Sequence, residues 1–106
     1  MKVGTWNTFY PSGAPHSSTQ FEEGKENGLR VETHDNGEKK AEGQMLNGKP
    51  NGPWVYWHDN GQKRAEGTWE HGSEEGTWIT YRADGQIIAE SFYKFGRMLT
   101  QTAHER

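Results

Sequence analysis

Apolar and polar residues alternate along several short stretches of the chain. From Arg64 to Trp69, small or aromatic residues alternate one by one with charged or polar residues. A period of two residues is that of a β-strand with one buried and one exposed face. The pattern predicts a half-buried strand, and its small residues Ala65 and Gly67 predict room for an aromatic ring from the next strand.

Glycine-containing turns separate these stretches. The segment 54–58 is rich in β-forming residues and runs into Asp59-Asn60-Gly61, and the equivalent stretches end in 35–37 and 83–85. Asn-Gly and Asp-Gly between patterned segments are the strongest short-range hairpin signal, because both central residues of a type I′ turn need positive φ. Each unit is therefore predicted to be a β-hairpin, and a looser turn, as in 48–52 and 72–76, is predicted to join one hairpin to the next.

The hairpins repeat with a period of 24 residues. Three glycine series mark this period: Gly4, Gly28, Gly52 and Gly76; Gly13, Gly37, Gly61 and Gly85; and Gly24, Gly48, Gly72 and Gly96. The same register aligns four large side chains: Phe21, Met45, Trp69 and Tyr93. A fixed period of 20 to 50 residues indicates stacked units that bury their faces on one another. We therefore predict an all-β fold of tandem 24-residue β-hairpin repeats that form an elongated, twisted antiparallel sheet.

A chain of 106 residues is long enough for one domain but not for two independent cores. We predict one repeat domain over residues 1–99 and a polar C-terminal tail over residues 100–106. The units are expected at about 6–29, 30–53, 54–77 and 78–99. Only 29% of the residues are hydrophobic and the mean hydropathy is -1.17, but the aromatic content of 12% distinguishes the chain from a disordered one.

The charge and the absence of cysteine exclude several classes of function. A net charge of -3 gives no electrostatic reason to expect nucleic acid or an anionic membrane as the partner. Without cysteine there is no disulfide, thiol nucleophile or thiolate metal site. No stretch approaches 18 apolar residues, and no apolar signal segment follows Met1. We therefore expect a cytoplasmic protein whose partner is neither nucleic acid nor a membrane.

Three stretches carry a family resemblance. Gly-Thr-Trp-Ile-Thr-Tyr at 76–81, Gly-Pro-Trp-Val-Tyr-Trp at 52–57 and Gly-Thr-Trp-Asn-Thr-Phe at 4–9 are each followed by a glycine turn. With these motifs the chain resembles MORN-repeat proteins over residues 4–98, and more closely a bacterial variant of the repeat with the signature G-x-W-x-x-Y-x-x-N-G. Many members of that bacterial group are described as antitoxins of toxin–antitoxin systems or as immunity-like proteins. The resemblance implies a cytoplasmic, non-enzymatic binder.

The second and first units depart from the family pattern. The second unit has Arg30 where the others have tryptophan, and Thr33 where they have Phe9, Trp57 or Tyr81. The row of rings should therefore be interrupted there. In the first unit Pro11 and Pro15 flank the turn, which suits an edge strand.

Two sets of residues suggest catalysis or metal binding. His34-Asp35 and His58-Asp59 are equivalent, but equivalent positions in successive hairpins lie about 9.6 Å apart, too far for two imidazoles to share a zinc ion at about 2.1 Å. The other candidates are three glutamates that recur with the repeat: Glu42, Glu66 and Glu90. Recurrence indicates cross-strand ion pairs on a solvent face rather than a catalytic pair. We therefore predict no catalytic residue, no cofactor and no metal site.

The last unit replaces polar residues by apolar ones. Lys39 and Lys63 become Ile87, and five further columns become Ile88, Phe92, Phe95, Met98 and Leu99. Exposed apolar patches on a soluble chain usually mark interaction sites. The alternative is a cap, in which the tail from Thr100 folds back over these residues. The predicted partner-binding residues are Tyr56, Trp57, Ile88, Phe92, Phe95, Met98 and Leu99.

The sequence thus predicts a protein-binding module. The resemblance specifies this as an antitoxin or immunity-type protein that neutralises a toxin- or effector-like protein partner by direct binding. Association of the chain with a second copy of itself is also possible. The alternative function is a peripheral scaffold or lipid-headgroup-binding MORN module.

Overall fold

The computed structural model describes residues 3–103 and folds them into one open antiparallel sheet of nine strands in chain order. The strands are β1 (Gly4–Phe9), β2 (Pro15–Glu22), β3 (Lys25–Thr33), β4 (Lys39–Leu46), β5 (Lys49–Trp57), β6 (Lys63–Glu70), β7 (Ser73–Tyr81), β8 (Ile87–Lys94) and β9 (Arg97–Ala103). The described part contains no helix. The molecule measures 46 × 32 × 15 Å, the depth of a single layer with its side chains. The predicted fold class is confirmed.

Two kinds of turn alternate along the sheet, and their types differ from those predicted. The tight turns with two successive positive-φ residues, the mark of type I′, lie at 23–24, 47–48, 71–72 and 95–96. The segments 48–52 and 72–76, which were predicted to be loose turns, lie mostly within β5 and β7. In the Asp-Asn-Gly turns the glycine alone has positive φ, and the Asn36 side chain accepts a hydrogen bond from the Glu38 N–H. The Asn-Gly pairs therefore predict the positions of these turns correctly, but the turns are not of type I′.

The core is a row of aromatic rings on one side of the sheet, which we call the ring face. Trp54 is only 4% exposed and lies over Gly43 of the preceding strand, and Trp78 lies over Gly67 in the same way. A Cβ atom at Gly43 would approach the Trp54 ring to 2.2 Å, so only glycine fits beneath it. The prediction that small residues make room for a ring from the next strand is confirmed.

Part of the predicted tail belongs to the sheet. Strand β9 continues to Ala103 and pairs with β8, so that Thr100 lies opposite Phe92 and Ala103 opposite Ala89. Residues 104–106 of the predicted tail lie outside the described residues. The described part of the tail pairs edge to edge with β8 and does not cover the face of the sheet.

Candidate functional site

The sheet has two unlike faces. On the ring face, Trp78 packs edge-on against Trp69 at 5.1 Å and against Tyr93 at 6.5 Å between ring centroids. The opposite side, which we call the second face, carries a row in which apolar residues alternate with the glutamates. Cross-strand pairing orders this row as Val31, Glu42, Val55, Glu66, Ile79 and Glu90.

Polar contacts replace the ring contacts at Arg30, where the row of rings is interrupted. Arg30 takes the place of the tryptophan and donates to the Thr19 hydroxyl at 2.8 Å and to Glu32 at 3.0 Å. Thr19 in turn takes the place of the glycine. At the other end, Ser91 replaces that glycine and accepts a hydrogen bond from Gln101 at 3.1 Å. A hydroxyl residue thus takes the place of the glycine beside Arg30 and beside Gln101.

Five exposed apolar residues lie in and between the last two strands. This C-terminal apolar cluster consists of Ile88, Phe92, Phe95, Met98 and Leu99. Phe95 is the most exposed, at 79%, because it occupies the tight turn between β8 and β9 with a φ of 54°. The described residues leave the cluster open to solvent.

The cluster reaches both faces of the sheet. Phe92 lies opposite Thr77 and Thr100 on the second face, whereas Met98 lies opposite Tyr93, a ring-face residue. The register shifts between Thr80 and Tyr81, and Ile88 is the extra residue of that irregularity. Because this β-bulge breaks the period of two, simple alternation does not assign Ile88 to the face of Phe92.

Tyr56 and Trp57 are separated from this cluster and from each other. The Tyr56 ring is part of the core row, and its hydroxyl accepts a hydrogen bond from the Trp69 indole at 3.0 Å. Trp57 lies on the second face, where the Lys39 ammonium stands 5.6 Å from its ring centroid. The seven predicted contact residues therefore do not form one surface, and Tyr56 is better explained as core.

Glu42 and Glu66 form ion pairs on the second face, but each pairs with a lysine of its own strand and not across strands as predicted. Lys39 contacts Glu42 at 2.6 Å, and Lys63 contacts Glu66 at 3.2 Å. Tyr81 also donates its hydroxyl hydrogen to Glu66. This hydrogen bond lowers the pKa of Glu66, and together with burial it raises the pKa of Tyr81 to about 12.

The Tyr81–Glu66 hydrogen bond has a direct spectroscopic test. We expect one tyrosine in the absorbance titration of the folded protein to ionise near pH 12, and Glu66→Gln to bring that pKa down towards 10. Because the folded-state pKa is raised, the associated stabilisation should be complete below pH 10 and lost as the pH rises through about 12. Tyr81→Phe should remove the shifted transition, and persistence of that transition would contradict the assignment.

The two histidine–aspartate pairs link successive repeats. His34 Nε2 lies 2.9 Å from the Trp57 carbonyl oxygen, and His58 Nε2 lies 2.9 Å from that of Tyr81. These histidines are half-buried, so they are more than solvated residues at strand ends. Over the described residues, no three histidine or acidic side chains come together as a metal site. His104 lies outside that part of the chain.

We expect His34→Ala with His58→Ala to lower the free energy of unfolding by about 1 to 3 kcal/mol, since each removes one hydrogen bond worth about 0.5 to 1.5 kcal/mol. Denaturant titration of the double variant measures this loss. His16→Ala, at a histidine outside the two inter-repeat bonds, is the control. Zinc uptake by the wild type that the double variant lacks would contradict a purely structural role.

The described residues form a single-sheet repeat protein whose two faces are both open to solvent in part. No helix in the described part is long and apolar enough to cross a membrane.

Residues 50–71 and 74–95 match the model of a MORN repeat variant, so the chain contains two detectable MORN repeats. They cover the β5–β6 and β7–β8 hairpins and begin 24 residues apart, which is the period of the glycines. No curated protein gives a significant match. A MORN repeat indicates a non-catalytic module that binds proteins or membrane lipids.

Proposed function

We propose that this protein is a non-enzymatic protein-binding module and that it contacts its partner through the C-terminal apolar cluster. The observation that carries the proposal is the exposure of all five cluster residues in a chain with only 29% hydrophobic residues. Exposed apolar residues grouped at one end of a sheet are typical of interaction sites, and aromatic residues such as Phe92 and Phe95 are frequent anchors. The sheet offers a rigid support for these anchors because every strand is paired.

The narrower proposal is a cytoplasmic bacterial antitoxin or immunity-type protein that covers the active or interaction surface of a toxin-like partner. Its support is the resemblance of the Gly-x-Trp motifs to the bacterial repeat variant. The negative net charge adds to this, since toxins that act on nucleic acid present cationic surfaces. Co-expression with a candidate toxin tests the proposal, and unchanged toxicity in the presence of the folded protein would contradict it.

The second function open to a MORN repeat is binding of anionic lipid headgroups. Two lysines at the centre of the second face already form ion pairs, Lys39 with Glu42 and Lys63 with Glu66, so their charges are not free to bind a headgroup. We therefore expect no flotation of the protein with vesicles that contain phosphatidylserine or phosphoinositide. Flotation at physiological salt would replace the protein-binding proposal by the lipid-binding one.

We expect Ile88→Lys with Phe92→Thr to weaken association with the protein partner by more than about 2 kcal/mol and to leave the fold intact. The changes restore the polar character that these columns have in the earlier repeats. Calorimetric titration with a partner captured from the native host measures the affinity, and light scattering measures self-association. Leu46→Thr, at an exposed apolar residue outside the cluster, is the matched control. Equal affinity of the double variant and the control would contradict the proposal.

A further inference from the structure

The second face carries a trough that crosses five strands and is separate from the C-terminal apolar cluster. It consists of two grooves of about 420 Å³ each. The first groove is lined by residues of β3, β4 and β5, and the second by residues of β5, β6 and β7. Pro53 and Val55 of β5 line both grooves, so the two join there into one trough.

The two grooves are equivalent in the 24-residue repeat. Leu29, Gly43 and Val55 line the first groove. The residues 24 positions later, which are Pro53, Gly67 and Ile79, line the second. Equivalent positions in successive hairpins are two strands apart, about 9.6 Å. A ligand that makes the same contact in both grooves must therefore repeat that contact about every 9.6 Å.

The trough is apolar along its walls and electrically neutral. Leu29 and Pro53 are exposed to solvent at its surface. The charged residues that line the two grooves are Glu42 and Glu66, and each already forms an ion pair with a lysine. Bringing a further charge into such a site is unfavourable because the charge would lose water without gaining a partner. The charge balance of the trough therefore matches an uncharged ligand.

The first groove also contains an available hydrogen-bond donor. Trp57 lines this groove, and its indole N–H has no hydrogen-bond partner among residues 3–103. The indoles of Trp54, Trp69 and Trp78, in contrast, each donate to an oxygen within the same part of the chain. A ligand whose backbone carbonyl groups have no internal hydrogen bonds can accept from Trp57.

Polyproline II is the regular backbone conformation that fits the spacing of the grooves. It has three residues per turn and rises about 3.1 Å per residue, so every third residue returns to the same side after about 9.3 Å. Three residues of an extended strand span about 9.9 Å, but the first and the fourth residue then lie on opposite faces. Two turns of an α-helix rise about 10.8 Å, which is further from the period. Strands β3 to β7 are each paired on both sides, so a ligand in the trough cannot join the sheet as a further strand.

We propose that the trough binds an uncharged, proline-rich segment of a partner protein in the polyproline II conformation. One proline of a Pro-x-x-Pro motif would lie in each groove, and the Trp57 indole would donate to the backbone of the segment. Two turns, about six residues, cover both grooves. Grooves with aromatic walls recognise such segments because the ligand is already ordered before it binds. This site goes beyond the function proposed for the C-terminal apolar cluster and does not depend on it.

The probes are two end-blocked, uncharged peptides of the same composition, each added to the full chain. Ala-Pro-Pro-Ala-Pro-Pro-Ala repeats its proline pair every three residues, and Ala-Pro-Pro-Ala-Ala-Pro-Pro repeats it every four. We expect the first peptide to bind at least fivefold more tightly, because it alone places prolines in both grooves from the same side. Nuclear magnetic resonance should show the Trp57 indole signal, assigned with Trp57→Phe, shifting as the first peptide is added.

Three protein variants locate the site. Pro53→Lys places a charge between the two grooves at an exposed position and should weaken binding of the first peptide at least tenfold, with an unchanged circular dichroism spectrum. Trp57→Phe keeps a ring but removes the N–H group, and it should weaken binding about three- to tenfold, the loss of one hydrogen bond. Leu46→Lys adds the same charge at an exposed residue outside the grooves and should bind like the wild type.

The Ile88→Lys with Phe92→Thr variant should also bind the peptide like the wild type, so failure of the C-terminal proposal and failure of this one are distinguishable. Absence of binding at millimolar peptide, equal binding of the two peptides, or unchanged binding by folded Pro53→Lys or by Trp57→Phe would overturn the inference. A Trp57 shift that depends on protein concentration without peptide would overturn it in favour of a second copy of the chain.

Discussion

Trp54→Ala is expected to lower the free energy of unfolding by about 3 to 5 kcal/mol, the usual range for removing a large buried ring. Trp54 is the most deeply buried ring of the core, and it packs on Tyr56 with 5.9 Å between centroids. Its indole also donates to the Gln44 carbonyl oxygen, which would lose a partner. The core cluster around Trp54 contains only two other buried residues, Ala41 and Met45, so little remains to close the cavity.

Guanidinium chloride titration followed by circular dichroism measures this loss. Trp6→Ala is the matched control, because it removes the same side chain from the equivalent position of the edge strand, where the ring is about half exposed. Trp6→Ala should lower the free energy of unfolding clearly less than Trp54→Ala does. The loss for Trp78→Ala should lie between these two, since Trp78 is half-buried. Equal losses for Trp54→Ala and Trp6→Ala would mean that the ring row is not the core.

The repeat could be predicted from the sequence because its causes are local. Glycines at a period of 24 residues fix the turns, and the alternation from Arg64 to Trp69 fixes a strand. Antiparallel hairpins pair with their neighbours in the chain, so the strand order requires no long-range information. The tryptophan–glycine contact could be anticipated for the same reason, since Gly43 and Gly67 precede a tryptophan-bearing strand in two successive repeats.

The faces of the proposed contact residues were harder to predict because strand irregularities change which way side chains point. The register shift at Ile88 and the shift between Phe92 and Tyr93 break the period of two that was used to assign faces. Tyr56 and Trp57 are neighbours in sequence and both are half-buried, but they lie on opposite faces of the strand, Tyr56 in the ring row and Trp57 beside Lys39 on the second face. Composition showed that both are aromatic and could not show which one packs in the core.

Gly43→Ala is expected to lower the free energy of unfolding by about 1 to 3 kcal/mol, the range for overpacking a close-packed core. Alanine in place of glycine usually favours a strand, and the backbone of Gly43 does not have positive φ. The cost therefore arises from the ring alone, since the added Cβ would lie 2.2 to 2.3 Å from three atoms of Trp54. The same reasoning applies to Gly67 beneath Trp78.

The decisive measurement is the same substitution in the Trp54→Ala background. With the ring removed, Gly43→Ala should be neutral within about 0.5 kcal/mol or slightly stabilising, because alanine lowers the entropy of the unfolded chain relative to glycine. The coupling energy between the two positions should therefore be about 1 to 3 kcal/mol, well above the error expected for independent sites. An equal cost of Gly43→Ala in both backgrounds would show that the ring does not lie over Gly43.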